Sequence, residues 1–395
     1  MLRSLFSGIS GLRSHQTMLD VTGNNIANVN TTGFKSSQTQ FQDTLSQLLT
    51  GAGAAQAGVG GTNPAQVGLG VRVAGITTSF TQGASQLTGR STDMMIQGDG
   101  FFVVRKGAET FYTRAGSFDF DATGQMTLPG DGALVQGWMA VNGVIDTNAP
   151  VTDLKVPAGT VMGAVASTTA SFLGNLPADA ADGTTKSLDL EVYDAQGNAR
   201  DITLTLTKSA TGWAMSATDG TTTYPATGTQ AMTFDANGAL TSAGSFTLGG
   251  VTVDLSTITG YAGVDTIATG TQNGRSAGTL QSFQLGADGT ITGSFSNGLK
   301  QAIGRIALAN FTNPAGLQKS GGSLFSASVN SGDAQVGVAG AGGRGSLAGG
   351  ALEMSNVDLS SEFTSLIVAQ RGFQANSRVI TTSDEVLQEL VNLKR

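Results

Sequence analysis

Apolar residues spaced seven positions apart near the C-terminus constrain the fold of this 395-residue chain more than any other feature. The repeating residues, and three that widen their stripe, are Leu359, Leu366, Phe373, Ile380 and Leu387, with Phe363, Ile367 and Leu390. This spacing is typical of an amphipathic helix that packs against other helices. It predicts a helix from about Ser360 to Leu393, with Asp358 or Ser360 as the N-cap. Because the companion positions 369, 376 and 383 hold small or polar residues, the apolar seam is narrow and the helix needs a partner.

A second stripe with the same spacing lies at the N-terminus. With one supporting position, its residues are Leu5, Ile9, Leu12, Leu19 and Ile26. The pattern stops at residues 28–33, where asparagine and glycine favour turns over helix. Two amphipathic helices at opposite termini predict a molecule whose ends come together. The alternative is a helical hairpin that belongs to an ordinary globular core.

Between the two stripes, the sequence pattern changes to that of short strands. Residues 50–64 are rich in glycine and alanine, which indicates a linker or an extended excursion. From residue 71 to about 346, several short runs alternate apolar and polar residues, as half-buried antiparallel strands do. These runs are 71–76, 100–105, 110–113, 187–193, 201–207 and 304–309. Hairpin turns are predicted by a recurring Asp-Ala-x-Gly motif. The motif occurs at 121–124, 194–197 and 235–238.

We therefore predict a multidomain, mainly β protein built from antiparallel sheets or barrel-like domains. Its N- and C-terminal amphipathic helices pair in a coiled-coil-like domain. The domains are nested, because a Thr-, Ala-, Asp- and Gly-rich segment interrupts a more ordinary β region. The predicted divisions are a terminal helical domain at 1–45 plus 352–395, a Gly-rich connecting region at 46–75 plus 335–351, an inner β domain at 76–150 plus 271–334, and an inserted outer β domain at 151–270.

The composition excludes several classes of partner and site. The net charge is −7, the pI is about 4.7 and no run of lysine and arginine forms a basic patch, which argues against nucleic acid. There is no cysteine, so disulfides, thiolate catalysis and cysteine metal sites are excluded. No apolar run approaches the roughly 18 residues that a membrane span requires. Polar residues interrupt the N-terminal apolar stripe, so any export is expected to proceed without a cleaved signal peptide of the usual kind.

Four local patterns resemble chemical sites, and each has a simpler structural explanation. Residues 340–345 fit G-x-G-x-x-G, but the next residues are poor helix formers, whereas a dinucleotide site requires a helix there. Residues 119–124 resemble a calcium loop but lack its later ligands, so a hairpin turn is favoured. The single histidine, His15, is expected to pack on its helix, and the paired carboxylates Asp119 and Asp121 lie in a turn without an apolar pocket. We therefore predict no catalytic residue, no cofactor and no metal, in a protein that is not an enzyme.

Several longer motifs occur together in one order along the chain. Two lie at 7–12 and 24–35, two more at 98–104 and 112–118, and the last pair at 357–363 and 367–377. Taken together, they resemble the signature of the flagellar rod and hook protein family and cover about a third of the chain. The additional β segment, which includes residues 188–198 and 233–238, resembles the outer domain of the hook members.

The resemblance implies a structural subunit of the bacterial flagellar hook. In this family the terminal helices pair and line a tubular polymer, while β domains face outward. The implied polymer is curved and acts as a flexible joint that transmits motor torque to the filament. The first alternative is a distal rod protein of the flagellar basal body, and the second is a β-rich surface adhesin.

The resemblance also implies partners, a location and an interface. The implied partners are other copies of the chain, the rod and hook–filament junction proteins at the two ends, the hook cap during assembly and the flagellar type III export apparatus. The implied location is the hook, on the cell exterior. The residues expected at the assembly interface are Leu5, Ile9, Leu12, Leu19, Asn24, Asn25, Ile26, Asn28, Gly33, Phe34, Leu359, Phe363, Leu366, Ile367, Phe373, Ile380, Leu387 and Leu390.

Overall fold

The computed structural model describes residues 2–55, 57–58, 60–157, 159–242 and 244–392. Along the chain, a long series of strands lies between two helices near the termini. This confirms the predicted mainly β fold class with paired terminal helices. The chain forms two compact units. Unit 1 comprises residues 1–157, 283–292 and 302–395, and unit 2 comprises residues 158–282 and 293–301.

The two terminal helices are α1, Leu2–Ala27, and α2, Leu359–Asn392. Asp358 is the N-cap of α2, because its Oδ1 accepts from the backbone N–H of Ser360 at 2.9 Å. The predicted end of this helix, Leu393, lies outside the described residues. The two helices pack against each other with opposite chain directions, since Asn25 near the end of α1 bonds to Glu362 near the start of α2. The predicted pairing of the chain ends is therefore confirmed.

A long hairpin follows α1 in unit 1. Its strands are β1 Ser37–Asp43, β2 Ser46–Thr50, β3 Ala65–Gly68 and β4 Val71–Thr78. The outer pair β1 and β4 and the inner pair β2 and β3 are both antiparallel, and a bridge between Gly53 and Thr62 extends the ladder. The described residues of the Gly/Ala-rich stretch thus form the exposed end of a β excursion. Their side chains bury almost no surface within the chain.

The first part of the unit 1 β-structure follows this hairpin. Its strands are β5 Ser85–Leu87, β6 Met94–Gln97, β7 Phe101–Lys106, β8 Glu109–Thr113, β9 Asp119–Phe120, β10 Met126–Leu128, β11 Ala133–Met139 and β12 Thr152–Asp153. Strand β7 is buried on both faces, because Phe101 and Phe102 point into two different apolar clusters. This explains why its sequence is continuously apolar at 101–104 and does not alternate.

Unit 2 has its own core between two five-stranded sheets. Its strands are β13 Val161–Met162, β14 Thr169–Asn175, β15 Thr185–Tyr193, β16 Ala199–Ser209, β17 Gly212–Thr218, β18 Thr223–Tyr224, β19 Gln230–Met232, β20 Ser245–Leu248, β21 Val251–Asp254, β22 Ile258–Thr259 and β23 Ala268–Gln272. Strands β16 and β17 alternate buried and partly exposed residues, so their inner face supplies Leu204, Leu206, Trp213 and Met215 to the core.

Three strands carry the chain from unit 2 back to unit 1, namely β24 Gly278–Leu285, β25 Thr290–Phe295 and β26 Lys300–Ile306. The remaining elements are β27 Leu308–Asn310, a 3-10 turn at Pro314–Gly316, β28 Gln318–Gly321, β29 Leu324–Ser326, β30 Gln335–Gly337, β31 Ser346–Gly349 and β32 Ala351–Glu353. In unit 1 the main sheet has the order β26-β11-β7-β8-β29-β28. Strands β31 and β32 pair with β6 and β5, which brings the chain back to the start of α2.

The predicted hairpin turns are confirmed at all three Asp-Ala-x-Gly motifs. In each, the aspartate Oδ1 accepts from the backbone N–H groups two and four residues later, at 2.8–2.9 Å. These bonds lower the pKa of Asp121, chiefly through the backbone N–H of Gln125. The residues that resembled a calcium loop therefore form a turn whose carboxylate is already bonded to its own backbone.

Candidate functional site

The seam between α1 and α2 is built from small residues. A Cβ added to Gly8 would lie 3.4 Å from Cγ1 of Ile380, and one added to Gly11 would lie 2.6 Å from Oδ1 of Asn376. A Cβ added to Gly372 would lie 2.5 Å from the ring of His15. The two helix backbones therefore approach closely along a line that runs beside the apolar stripes. His15 packs in this seam, as expected from the sequence, and its ring also meets Phe41 edge-on.

The predicted apolar interface residues fall into two groups. One group is partly buried in the single chain and comprises Leu5, Ile9, Leu12, Leu19, Ile26, Leu366, Phe373, Ile380 and Leu387. The other group is exposed on α2, with relative exposures of 40% for Leu359, 52% for Phe363, 56% for Ile367 and 47% for Leu390. The second group has a large apolar area that the fold of one chain leaves in contact with solvent.

The predicted polar interface residues lie where α1 ends. Asn24 is exposed, whereas Asn25 is buried and both ends of its amide are bonded. Asn25 Nδ2 donates to Ser37 O at 2.7 Å and Oδ1 accepts from Ser37 N at 3.0 Å. Nδ2 also donates to Glu362 Oε1 at 2.8 Å, so this one amide joins α1, β1 and α2. Asn28 donates to the carbonyl of Asn24 at 2.9 Å and closes the last turn of the helix.

Gly33 and Phe34 lie one step further along the chain. Gly33 has φ +68°, and its N–H donates to the carbonyl of Glu353 at 2.8 Å. Phe34 lies under the ammonium of Lys319, whose Nζ is 4.8 Å from the ring centre. A cavity of about 530 Å³ opens beside Phe34 and is lined by residues of unit 1.

A second polar contact joins the segment that follows α1 to the segment that precedes α2. Asn356 Oδ1 accepts from Ser36 N at 2.8 Å. Its Nδ2 donates to Ser79 O at 2.9 Å and to Thr81 O at 3.2 Å. Together with Asn25, this residue holds the two chain segments side by side beneath the helix pair. We call residues 28–37 and 346–358, with the groups that bond to them, the junction.

The innermost contact of the junction is a buried charge network. Lys35 Nζ is 2.6 Å from Glu353 Oε1, and Arg114 Nη1 is 3.3 Å from Glu353 Oε2. The side chains of Lys35 and Glu353 are fully buried, and that of Arg114 is 2% exposed. Lys35 Nζ also donates to Thr81 O at 2.7 Å, and Gly83 N donates to Glu353 Oε1 at 2.9 Å. One carboxylate thus connects segments from both ends and from the middle of the chain.

Burial dominates the electrostatics of this network. It lowers the pKa of Lys35, and the hydrogen bond and attraction of Glu353 only partly oppose this effect. Burial likewise lowers the pKa of Arg114, against the attraction of Glu353 and Asp99. Two buried cations therefore share the single carboxylate of Glu353 within the network. Such a group stabilises a fold only while every member keeps its partner.

Sequence reasoning missed the charged members of the junction. Lys35 ends the 24–35 motif and Arg114 lies in the 112–118 motif, yet neither was assigned to the interface. A signal was present, since charged residues make up only 12% of the chain and Lys35 and Arg114 are two of the three cations inside its recognisable motifs, with Arg371. Glu353 and Asn356 precede the C-terminal motif, and only the fold brings Glu353 to these cations and Asn356 to Ser36.

The described residues also bear on metal binding and on membrane spanning. No group of three or more histidine, cysteine, aspartate or glutamate side chains in that part of the chain is placed to hold a metal ion. Neither α1 nor α2, as far as they are described, has a stretch that is long and apolar enough to cross a membrane.

Four family models match the chain. Residues 5–35 match the flagella basal body rod protein model, and residues 348–393 match the flagellar basal body rod FlgEFG protein C-terminal model. Residues 95–168 match the flagellar hook protein FlgE/F/G D1 domain model. Residues 165–313 match the flagellar basal body protein FlaE D2 domain model. The first two matches contain most of the junction.

Individual relatives match over the whole chain. The flagellar hook protein FlgE of Borreliella burgdorferi is 39% identical over all of both chains. That of Salmonella typhimurium is 37% identical over 99% of this chain and all of its own. The flagellar basal-body rod protein FlgG of Bacillus subtilis is 36% identical over all of both chains. The crystal structure of Helicobacter pylori flagellar hook protein FlgE2 covers 66% of this chain and 98% of its own, with 15% identity and a TM-score of 0.51, and so supports the fold alone.

Proposed function

The chain belongs to the flagellar hook protein FlgE family, and from that premise we propose that its two terminal helices carry the contacts between copies in the hook. It is a structural subunit of the flagellar hook and not an enzyme, and it forms a polymer in the flagellum. The distal rod and adhesin alternatives are not favoured. Full-length hook relatives and the separate match at residues 165–313 agree with the hook assignment.

The observation that carries the proposal is the exposed apolar face of α2. Leu359, Phe363 and Ile367 follow one another at four-residue spacing on one face, and they and Leu390 near the helix end are between 40% and 56% exposed although the neighbouring seam is closely packed. The remaining apolar stripe residues are partly buried within one chain, so they support the helix pair that presents this face. Unlike surfaces of identical subunits that bind head to tail without closing a ring generate an open helical tube. Asn24, Asn25 and Asn28, with Gly33 and Phe34, also belong to the proposed interface, and the bond from Asn25 to Glu362 fixes the direction of the helix pair.

The finer functional description is also a proposal. The polymer would be a curved tube that acts as a flexible joint and passes motor torque to the filament. Its partners would be rod and hook–filament junction proteins at the two ends, and a hook cap during assembly. The subunit would reach the cell exterior through the flagellar type III export apparatus without a cleaved signal peptide.

We propose a separate role for each of the four segments predicted from the sequence. Residues 1–45 plus 352–395 would assemble, residues 46–75 plus 335–351 would connect, and residues 76–150 plus 271–334 would form the inner β domain. Residues 151–270 would face outward. The polar outer surface of β15 and β16 supports this last role, because exposed or partly exposed threonine and aspartate side chains alternate there with the buried core residues.

A charge placed on the exposed face of α2 tests the proposal. We expect Phe363→Asp to abolish tube formation, because a carboxylate would have to be buried between copies without a partner. The single chain should keep its helix content and β-structure, since the Phe363 side chain is 52% exposed. Negative-stain electron microscopy under polymerising salt and circular dichroism of the monomer provide the two measurements.

Thr364→Asp is the matched control. This exposed residue lies one position further along α2 and therefore points about 100° away around the helix. It should leave assembly intact. Tubes from Phe363→Asp that match those of the unsubstituted chain would contradict the proposed interface, and straight rigid tubes from the unsubstituted chain would contradict the curved joint.

A further inference from the structure

The Lys35–Glu353 contact joins segments that are 318 residues apart in the chain, and the two partners depend on it unequally. The β-structure of unit 1 holds Glu353 through most of its contacts, and the N-terminal segment adds, besides Lys35, the Gly33 N–H that donates to the Glu353 carbonyl at 2.8 Å. Strand β32 pairs with β5, and Ala351 and Leu352 on the same strand are buried. Glu353 also receives Arg114 Nη1 and the backbone N–H of Gly83. Its charge is thus compensated before Lys35 arrives.

Lys35 has no such independent support. Apart from Glu353, the bond made by its ammonium is to the carbonyl of Thr81. Arg114 disfavours the charged form of Lys35, and Lys319 donates to the Lys35 carbonyl at 3.0 Å. Without Glu353, closing the junction would bury an ammonium beside the positive Arg114 guanidinium, a strongly unfavourable arrangement.

We infer that the junction closes in a fixed order, in which Glu353 must be seated in unit 1 before residues 28–37 can dock. The N-terminal helix is then fixed to the β-structure only when the C-terminal segment is already in place. Glu353 is the positioning residue of the junction, because the ammonium of Lys35 can be buried only when the Glu353 carboxylate is already in place. The order concerns folding within one chain, so it stands or falls independently of the proposed contacts between copies.

Peptide-resolved amide hydrogen exchange on the full-length monomer tests the order. In Glu353→Gln, which keeps the size of the side chain and the acceptor for Gly83, residues 28–37 should exchange on the order of a hundredfold faster. That factor is the size expected when one partner of a buried ion pair is removed. In Lys35→Met, residues 346–353 should exchange as in the unsubstituted chain, because Glu353 keeps Arg114 and Gly83.

The double variant Lys35→Met/Glu353→Gln separates the proposed cause from a general loss of stability. Removing the unpartnered ammonium should restore protection of residues 28–37. Glu362→Gln is the matched control, since it removes a nearby acidic charge but keeps an acceptor for Asn25 and leaves Lys35 paired. This control should leave exchange in residues 28–37 unchanged.

Several results would overturn the ordered closure. One is equal loosening of residues 346–353 and 28–37 in Lys35→Met, which would show mutual dependence. Another is unchanged protection of residues 28–37 in Glu353→Gln, or free exchange of this segment in the unsubstituted chain. Glu353→Gln could also increase exchange in residues 94–104, and the double variant then separates the two explanations. Restored protection of residues 28–37 in the double variant supports the order, and continued fast exchange of these residues refutes it.

Discussion

Gly33 lies at the narrowest point of the junction. Its φ of +68° is in the left-handed region, which glycine enters without the steric cost that other residues pay. A Cβ at this position would also lie 2.6 Å from the carbonyl carbon of Arg114, too close for any van der Waals contact. The backbone of the N-terminal segment therefore reaches the 112–118 motif only because this residue has no side chain.

We expect Gly33→Ala to destabilise the closed junction by about 2 to 4 kcal/mol, the sum of a strained backbone and a clash with a fixed neighbour. Thermal unfolding of the monomer, together with exchange of residues 28–37, measures the effect. Gly58→Ala is the control, because Gly58 also has a positive φ, +90°, but nothing lies within 4 Å of an added Cβ. It should cost only the backbone strain, about 1 to 2 kcal/mol. Similar losses in the two variants would contradict the close approach at Gly33.

At the scale of single residues, the sequence left the identity of the α2 N-cap undecided. Asp358 and Ser360 were equal candidates for the N-cap of α2, since both carry an oxygen that can accept from free helix N–H groups. The fold decides for Asp358, whose Oδ1 also lies 3.4 Å from the N–H of Ser361. Spacing along the chain does not show which backbone conformation precedes a helix, and that conformation decides the cap.

At the scale of elements, the terminal helices approach each other closely at glycine and other small positions, while the residues of the apolar stripes are only partly buried. Gly8, Gly11 and Gly372 each face a side chain of the opposite helix. Ala369 is fully buried, and it occupies one of the companion positions that the sequence marked as small. Small residues let helix backbones approach, and this leaves part of the apolar stripe outside the pair.

We expect Gly11→Leu to force α1 and α2 apart and to destabilise the pair by about 1 to 3 kcal/mol, the usual cost of overpacking. Helix content during thermal unfolding, with hydrogen exchange across α2, measures the change. Gly23→Leu is the matched control on the same helix, because Gly23 is exposed and an added Cβ meets nothing within 4 Å. Since leucine forms helix better than glycine, this control should leave the pair unchanged or stabilise it slightly. Equal loss of helix in both variants would show that the seam is not closely packed.

At the scale of the whole molecule, each unit has its own apolar interior, with two clusters on the two faces of β7 in unit 1 and one cluster in unit 2. The two tryptophans of the chain report on them separately, since Trp138 is buried in unit 1 and Trp213 in unit 2. Leu204 is fully buried in the unit 2 core, and Ile96 is fully buried in unit 1. Each core is closed by its own strands, so each unit has its own source of apolar stabilisation.

We expect Leu204→Ala to lower the stability reported by Trp213 by about 2 to 5 kcal/mol through loss of buried apolar volume. The transition reported by Trp138 should not move. Ile96→Ala should have the reverse effect, and each signal is isolated by replacing the other tryptophan with phenylalanine. Fluorescence during denaturant unfolding measures both transitions. A common shift of the two signals in either variant would show that the chain unfolds as one cooperative block.

The sequence alone determined the elements whose signals are local. Seven-residue spacing predicted both terminal helices, alternation predicted strands such as β15 and β16, and Asp-Ala-x-Gly predicted three turns. These signals are local because a helix face, a pleat and a turn each repeat or close within a few residues. The family motifs likewise lie in short continuous stretches.

Tertiary structure alone decided which residues meet across the chain. Lys35 and Glu353 are 318 residues apart, and no local pattern could pair a cation in the N-terminal motif with a carboxylate that precedes the C-terminal one. The same holds for Arg114, which arrives from the middle of the chain. The physical reason is that burial of these charged side chains determines which of them pair. Removal of these charges from water requires each to find a partner, and the folded strands of unit 1 determine which partner lies within reach.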